Sequence, residues 1–257
     1  MDVSSATGST CPAIGAKTAD YYVCKHVYVC TVRGSSIFLD LERDRYFALD
    51  AVQAGLLDGL VAGWPSMAPE AGVDGRQPEI GVQIGMSLVH DRLLTRDAAN
   101  GKDATPDTAA AVKSMLIEAG MRRTPRIRLK DIRRFLLAYV RVRLAMRCTS
   151  LQEITRRVAA RKAKFVPAAA QQLDLERMRQ IVGVFDVLRA LTFTAQFACL
   201  FDSLVLIDYL SQYRIYPMWV MGVRTDPFAA HSWVQHDVFV VNGTVDYVGT
   251  FTPIMTV

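Results

Sequence analysis

The sequence predicts an α+β protein in two parts, and three observations support this. Residues 27–49 hold three short segments rich in β-branched and aromatic residues, which are typical of strands. Residues 127–191 carry the apolar spacing of long amphipathic helices. Residues 199–241 read as one helix followed by antiparallel strands. Strands and helices segregated along the chain in this way favour the α+β class.

The N-terminal part, residues 23–96, is predicted to be a winged-helix-like domain. Asp50 is a good N-cap for a helix over 51–62, and a second helix is expected over 80–94, although its first half alternates like a strand. Small polar residues dominate 1–22, so this N-terminal segment is expected to be flexible. The predicted strands are Val27–Val32, Ser36–Asp40 and Tyr46–Leu49.

A linker is predicted over 97–125, because this stretch is rich in Asn-Gly, Thr-Pro and similar turn signals around one short helical patch, Ala109–Ala119. The C-terminal domain is then expected over 126–257. Its predicted helices are Leu129–Arg147, Leu151–Lys164, Leu173–Leu191 and one that begins near Cys199, and its predicted strands are Ile215–Val223, His231–Gln235 and Val238–Val241.

Composition excludes several classes of protein. The 257 residues are 51% apolar and 21% charged, which is ordinary for a globular protein and excludes extensive disorder. The longest uncharged run in the C-terminal half, Ala190–Phe201, has 12 residues, short of the roughly 18 that a membrane helix needs. The N-terminus lacks a basic-then-apolar signal pattern, so we expect a cytoplasmic protein without membrane insertion.

Charge is distributed unevenly. The net charge is +5, but residues 122–164 hold 15 basic and 2 acidic side chains, whereas residues 1–121 hold 10 and 15. A solvated helix face is the simplest explanation of this block, and attachment to nucleic acid or an anionic partner is the alternative. Because the winged-helix-like part is itself acidic, we expect no nucleic acid partner. The block is then interpreted as a surface connecting the two domains, or as a docking site for a partner enzyme.

Five cysteines and four histidines are widely spaced, with no Cys-x-x-Cys pair and no cluster of zinc-ligand spacing. We therefore expect no disulfide framework, no metal and no cofactor. Sulfur chemistry would depend on a single thiol.

Cys199 and His231 form the candidate catalytic pair. A helix N-terminus lowers the pKa of a thiol and offers N–H groups to an oxyanion, so a cysteine at the start of a helix suits nucleophilic catalysis. A histidine on an adjacent strand would exchange the proton. The plain alternative is that Cys199 is an inert core residue and His231 a packing residue.

An ordered string of motifs resembles the lasso-peptide biosynthesis B protein. The string is Cys199-Leu-Phe-Asp-Ser-Leu-Val-Leu, then Met221-Gly-Val-Arg-Thr-Asp-Pro-Phe-Ala-Ala-His231-Ser-Trp-Val, then Val240-Val-Asn-Gly-Thr-Val-Asp-Tyr-Val, ending in Phe251-Thr-Pro-Ile. The resemblance implies a transglutaminase-like, papain-related cysteine peptidase that removes the leader from a ribosomal precursor. The spacing of 32 residues between Cys199 and His231 agrees with that family.

The N-terminal part resembles, more weakly, the RiPP recognition element, a winged-helix-like domain that captures leader peptides. Its mode of binding implies that the leader pairs along the third strand, Arg45–Leu49, and so contacts Tyr46, Phe47 and Ala48. Both parts in one chain would make this the fused form of the B protein. The implied partners are the precursor peptide and an asparagine-synthetase-like lasso cyclase.

The third member of the catalytic triad departs from the family pattern. An Asp is usual twelve residues after the histidine, and this chain has Gly243 there. Asp246 is the favoured substitute, and Asn242 or Asp237 could also orient His231. The function expected is that of a leader peptidase. The alternatives are a leader-binding chaperone whose peptidase half has decayed, or a winged-helix regulator that binds DNA.

Overall fold

The N-terminal part is built on a three-stranded antiparallel sheet. The computed structural model describes residues 19–65, 78–117, 125–165, 175–192 and 199–257. The sheet has the order β2-β3-β4, and a tight turn at Arg33 and Gly34, both with positive φ, joins its first two strands. The three strands predicted from the sequence are therefore present. The strands are β1 (Tyr22–Cys24), β2 (Val27–Val32), β3 (Ser35–Asp40) and β4 (Arg45–Leu49).

Two helices follow, α1 (Ala51–Gly55) and α2 (Pro78–His90). Asp50 caps α1 as predicted, since its side chain accepts from the backbone N–H of Gln53 at 2.8 Å. The prediction that this helix continues to residue 62 is wrong. After Gly55 the backbone tightens into i→i+3 turns, and Gly59 takes a positive φ of 72°, which ends helical geometry. The helix predicted over 80–94 is present as α2, but its predicted end is wrong, because α2 ends at His90 and Leu94 begins a short strand.

Residues 97–117, within the predicted linker, contribute strands to both halves. β6 (Gly101–Lys102) pairs with β1, which also pairs with β5 (Leu94–Thr95). β7 (Ser114–Met115) pairs with a C-terminal strand. The helical patch predicted from residue 109 is wrong over the described residues up to 117. Backbone bonds to that strand, such as Leu116 N–H to Val240 O at 2.7 Å, hold this segment extended.

The C-terminal part combines helices with a five-stranded sheet of order β11-β8-β9-β10-β7. The predicted helices and strands are present, with bounds shifted by a few residues, whereas α7 and β11 are additions. Its elements are α3 (Leu129–Cys148), α4 (Leu151–Phe165), α5 (Leu175–Ala190), α6 (Cys199–Ser211), β8 (Met218–Thr225), β9 (Phe228–His236), β10 (Phe239–Val240), α7 (Val245–Val248) and β11 (Thr252–Thr256).

The sheet β2-β3-β4 lies between two cores, and its central strand β3 is buried on both faces. One face carries Phe38 and Leu49 and packs against α1 and α2. The other face carries Ile37 and Leu39 and belongs to the large core that also holds Phe135 of α3 and most of α6. The two halves therefore share a core through this sheet.

None of the described helices is long and apolar enough to cross a membrane. The N-terminal segment predicted to be flexible, residues 1–22, lies mostly outside the described residues, which begin at residue 19.

Candidate active site

Cys199 is the first residue of α6, where the sequence placed it. Its thiol is free and partly exposed. The helix behind it is almost entirely buried from Phe201 to Leu210, so its position and direction are fixed by the core. A thiol here lies beside the unpaired N–H groups of a 13-residue helix, where a negative charge is favoured.

Asn242 ties the first turn of α6 to the sheet. Its amide nitrogen donates to Asp202 at 2.8 Å and to Ser203 at 3.2 Å, and its carbonyl accepts from Val234 N–H at 2.7 Å. The hydroxyl of Ser203 in turn donates to the carbonyl of Ser232 on β9 at 3.0 Å. The helix that begins with Cys199 is therefore held against β9 one turn after the thiol.

Asp202 is a buried carboxylate in this network. Burial raises its pKa, while Arg189 and Asn242 act in the opposite direction. One oxygen, Oδ2, accepts from Arg189 at 3.1 Å as well as from Asn242, and the other, Oδ1, is buried and has no hydrogen-bond partner among the described residues. Sequence reasoning did not single out Asp202 or Arg189. A charged residue inside an otherwise apolar helix run was the available signal for Asp202.

His231 lies within β9, opposite Gly222 of β8. An aromatic cluster surrounds its ring: the ring centroid is 4.9 Å from that of Tyr247, 5.2 Å from that of Phe251 and 6.1 Å from that of Trp233. Burial among these groups lowers the pKa of His231 below its ordinary value of 6.5. The imidazole is therefore neutral at pH 7, which is the form that a general base requires.

The structure does not join the two predicted catalytic side chains. Alternate residues of a strand point to opposite faces of its sheet. Val234 belongs to the core that contains α6, whereas Trp233, which shares the face of His231, belongs to a separate cluster with Phe251. Among the described residues no hydrogen bond or ring contact links Cys199 to His231. Their catalytic pairing stays a prediction.

The three candidates for orienting His231 occupy different places. Asp246 lies exposed in the first turn of α7, directly before Tyr247. Asn242 is buried and fully engaged with α6 and β9. Asp237 stands with a positive φ in the turn between β9 and β10. Within the described part of the chain, none of them is hydrogen-bonded to His231.

Strand β4, the predicted leader-binding strand, packs against the same core as α6. Among the described strands it pairs only with β3 and thus forms an edge of its sheet. Its Tyr46 packs against the core that also contains Phe201 of α6, and burial, followed by the charges of Asp44, Cys199 and Cys30, raises the pKa of Tyr46. The ring of Tyr46 also meets that of Phe228, the first residue of β9, at 5.6 Å. Sequence reasoning missed Phe228, since no local pattern reports a contact 182 residues away.

The other two predicted leader-binding residues lie on the same edge strand. The Phe47 side chain is 41% exposed, and its ring centroid is 6.2 Å from that of Phe38. Ala48 is paired with Ile37 on β3 and is exposed. All three predicted residues are thus placed on a strand that is an edge of its sheet among the described strands. Across the described residues, no group of three or more His, Cys, Asp or Glu side chains could hold a metal ion.

Comparison with known proteins identifies one family. Residues 136–256 match the family model of the transglutaminase-like superfamily. The match runs from α3 to β11 and includes both Cys199 and His231. No curated protein and no solved structure matches the chain significantly. The C-terminal region therefore carries a transglutaminase-like domain, which agrees with part of the resemblance seen in the sequence.

Proposed function

We propose that this protein is a cysteine peptidase that removes the leader from a lasso-peptide precursor. One observation carries the proposal: Cys199 begins a buried helix in the transglutaminase-like region, and Tyr46 on the edge strand β4 packs against the core that contains this helix. A thiol nucleophile and a peptide-binding edge that share one core suit the cleavage of an extended peptide.

The N-terminal part would capture the leader as a RiPP recognition element. An extended leader segment adds a strand along β4, where backbone hydrogen bonds give affinity and side-chain contacts give specificity. Tyr46, Phe47 and Ala48 would supply those contacts. Capture on the same chain raises the local concentration of the scissile bond near Cys199.

The reaction would proceed through an acyl-enzyme. His231 accepts the proton of the Cys199 thiol, the resulting thiolate attacks the carbonyl carbon of the last leader residue, and N–H groups at the start of α6 stabilise the oxyanion. His231 passes this proton to the departing core amine as the peptide C–N bond breaks. Water then attacks the thioester and gives a proton to His231, the C–S bond breaks to release the leader acid, and His231 returns the proton to the sulfur. Among the described residues Asp246 stays the favoured residue to orient His231.

The product of the reaction suggests the partner enzyme. The freed amino group of the core would pass to an asparagine-synthetase-like cyclase as partner. We place the reaction in the cytoplasm, where thiols stay reduced.

The experiment uses a lasso-precursor peptide that carries its leader, with cleavage followed by mass spectrometry and leader binding by fluorescence anisotropy. We expect Cys199→Ala to bind the leader normally and to lose at least about 10³-fold in cleavage rate. The matched control is Cys148→Ala, which removes an exposed thiol at the end of α3 and should cleave normally. Normal cleavage by Cys199→Ala would overturn the mechanism.

A second candidate is a leader-binding chaperone without peptidase activity. Two observations favour it: Gly243 stands at the usual Asp position, and no contact joins Cys199 to His231 within the described residues. In that case the wild-type protein binds the leader tightly but leaves the precursor intact, and His231→Ala changes neither measurement.

A further inference from the structure

A cavity of about 490 Å³ lies where the N-terminal sheet meets the C-terminal part. Its walls come from the β1–β2 turn with the start of β2, from helix α4 and from the end of β11. No residue of α6 or β9 lines it, so the cavity is separate from the candidate active site. Its volume falls within the range of roughly 300 to 1,000 Å³ that is typical of small-molecule sites.

Three cationic side chains line this cavity: Lys25, Arg156 and Lys162. Arg156 is neutralised by a bidentate pair with Glu153, at 2.8 and 2.9 Å. Lys25 and Lys162 have no carboxylate within ion-pair distance among the described residues. Lys162 is half-buried, and its burial lowers its pKa. A half-buried ammonium group without a counter-charge is costly unless an anion accompanies it.

A further cation, Lys102, contacts the ring of Tyr28 in the cavity lining. Tyr28 lines the cavity, and Nζ of Lys102 lies 3.5 Å from the centroid of its ring. Burial also lowers the pKa of Lys102, although Asp107 acts in the opposite direction. Asp107 acts on Tyr28 too, so the cation behind the ring is partly balanced by this carboxylate.

The remaining lining suits an organic molecule with a charged end. Leu41 and the ring of Tyr28 provide apolar surface, and Gln152 on the first turn of α4 adds an amide donor to the same lining. We propose that this cavity binds a small phosphorylated molecule, with its phosphate between Lys25 and Lys162 and its organic body against Tyr28 and Leu41. Two lysines that have no counter-charge among the described residues match the two negative charges of a phosphate monoester.

A ligand bound in the site would contact both halves of the chain, because residues of both halves line the cavity, and it would therefore stabilise the folded protein. A ligand that binds only the folded state raises the melting temperature in proportion to the logarithm of its concentration. This gives a readout that is independent of peptidase activity and unaffected by Cys199→Ala.

The test measures binding of inorganic pyrophosphate to the full-length protein by calorimetry and thermal shift, at constant ionic strength set with sodium chloride. We expect saturable binding with a rise in melting temperature. Lys162→Met should weaken the affinity by about tenfold or more, because a charge-assisted contact is lost. Lys164→Met is the matched control, since it removes an exposed lysine of the same helix outside the cavity, and it should change the affinity by less than about twofold.

Lys162→Arg separates loss of binding from loss of folding, because it keeps the charge and should retain most of the affinity. The proposal is overturned if pyrophosphate gives no saturable effect beyond that of sodium chloride. It is equally overturned if Lys162→Met and Lys164→Met lower the affinity alike, since the binding would then reflect only the general positive charge of α4.

Discussion

Asn242, two residues after β10, donates a hydrogen bond of 2.8 Å to Oδ2 of Asp202 in the first turn of α6. The sequence suggested Asn242 as a residue that orients His231, and the structure gives it a different task. Its amide joins the helix of Cys199 to strand β9 at a buried position.

Replacing Asn242 by Ala is expected to destabilise the fold by about 2 to 4 kcal/mol. The change leaves the buried N–H of Val234 without its hydrogen-bond acceptor and removes a donor to the buried carboxylate of Asp202. Urea unfolding measures this change. Asn100→Ala is the control, since Asn100 is exposed and bonds only to Asp97 among the described residues; its effect should stay within about 0.5 kcal/mol. Equal midpoints for the two variants would contradict the structural role of Asn242.

Gly222 is predicted to tolerate no side chain. A Cβ atom there would lie 2.8 Å from the ring of Trp233 and 3.0 Å from the carbonyl oxygen of Thr252, and that ring is almost fully buried. We expect Gly222→Ala to cost about 1 to 3 kcal/mol by overpacking.

Gly183, inside α5, is the matched control, because nothing lies within 4 Å of the Cβ that alanine would add. Gly183→Ala should raise stability by about 0.5 to 1 kcal/mol through helix propensity. The two alanine variants should therefore shift the denaturation midpoint in opposite directions, and a shift of the same sign in both would disprove the packing argument.

His231 should make the fold sensitive to acid. Because burial lowers its pKa below 6.5, the unfolded chain binds more protons than the folded protein at mildly acidic pH. Stability is then fully present above pH 6.5 and is lost as the pH falls towards the folded-state pKa, below which the loss stops. His236 contributes in the same direction, since burial lowers its pKa too, with Asp237 opposing and Lys162 reinforcing.

The measurement is the free energy of unfolding in urea between pH 7.5 and 5. His231→Gln should flatten this dependence in part, and His231→Gln combined with His236→Gln should flatten it further. An unchanged slope in the single variant would show that His231 is not protonated more easily on unfolding.

Local sequence patterns predicted helices and strands well where a single feature, such as a run of β-branched residues or a turn, was strong. The strands of 27–49 followed from β-branched runs and the Arg33–Gly34 turn, and α6 begins at Cys199 as expected. β11 was missed because Pro253 argues against a strand. It is tolerated there because β11 is an edge strand with a single partner, β8.

The candidate site was less predictable, because it depends on which face each strand presents. Spacing along the chain brought Cys199 and His231 into one hypothesis, but the alternation of β9 directs His231 into an aromatic cluster. The basic block, residues 122–164, likewise makes contacts within the protein that its sequence does not reveal. Arg161 pairs with the buried Asp208 at 2.6 Å, while Arg156 and Arg157 share Glu153.

The position of β3 between two cores has a consequence for how the chain unfolds. Ile37 and Phe38 are neighbours in sequence, yet each is anchored in a different core. Loss of either core would expose one face of this strand to water and remove its support. We therefore expect the two halves to unfold together rather than as separate foldons.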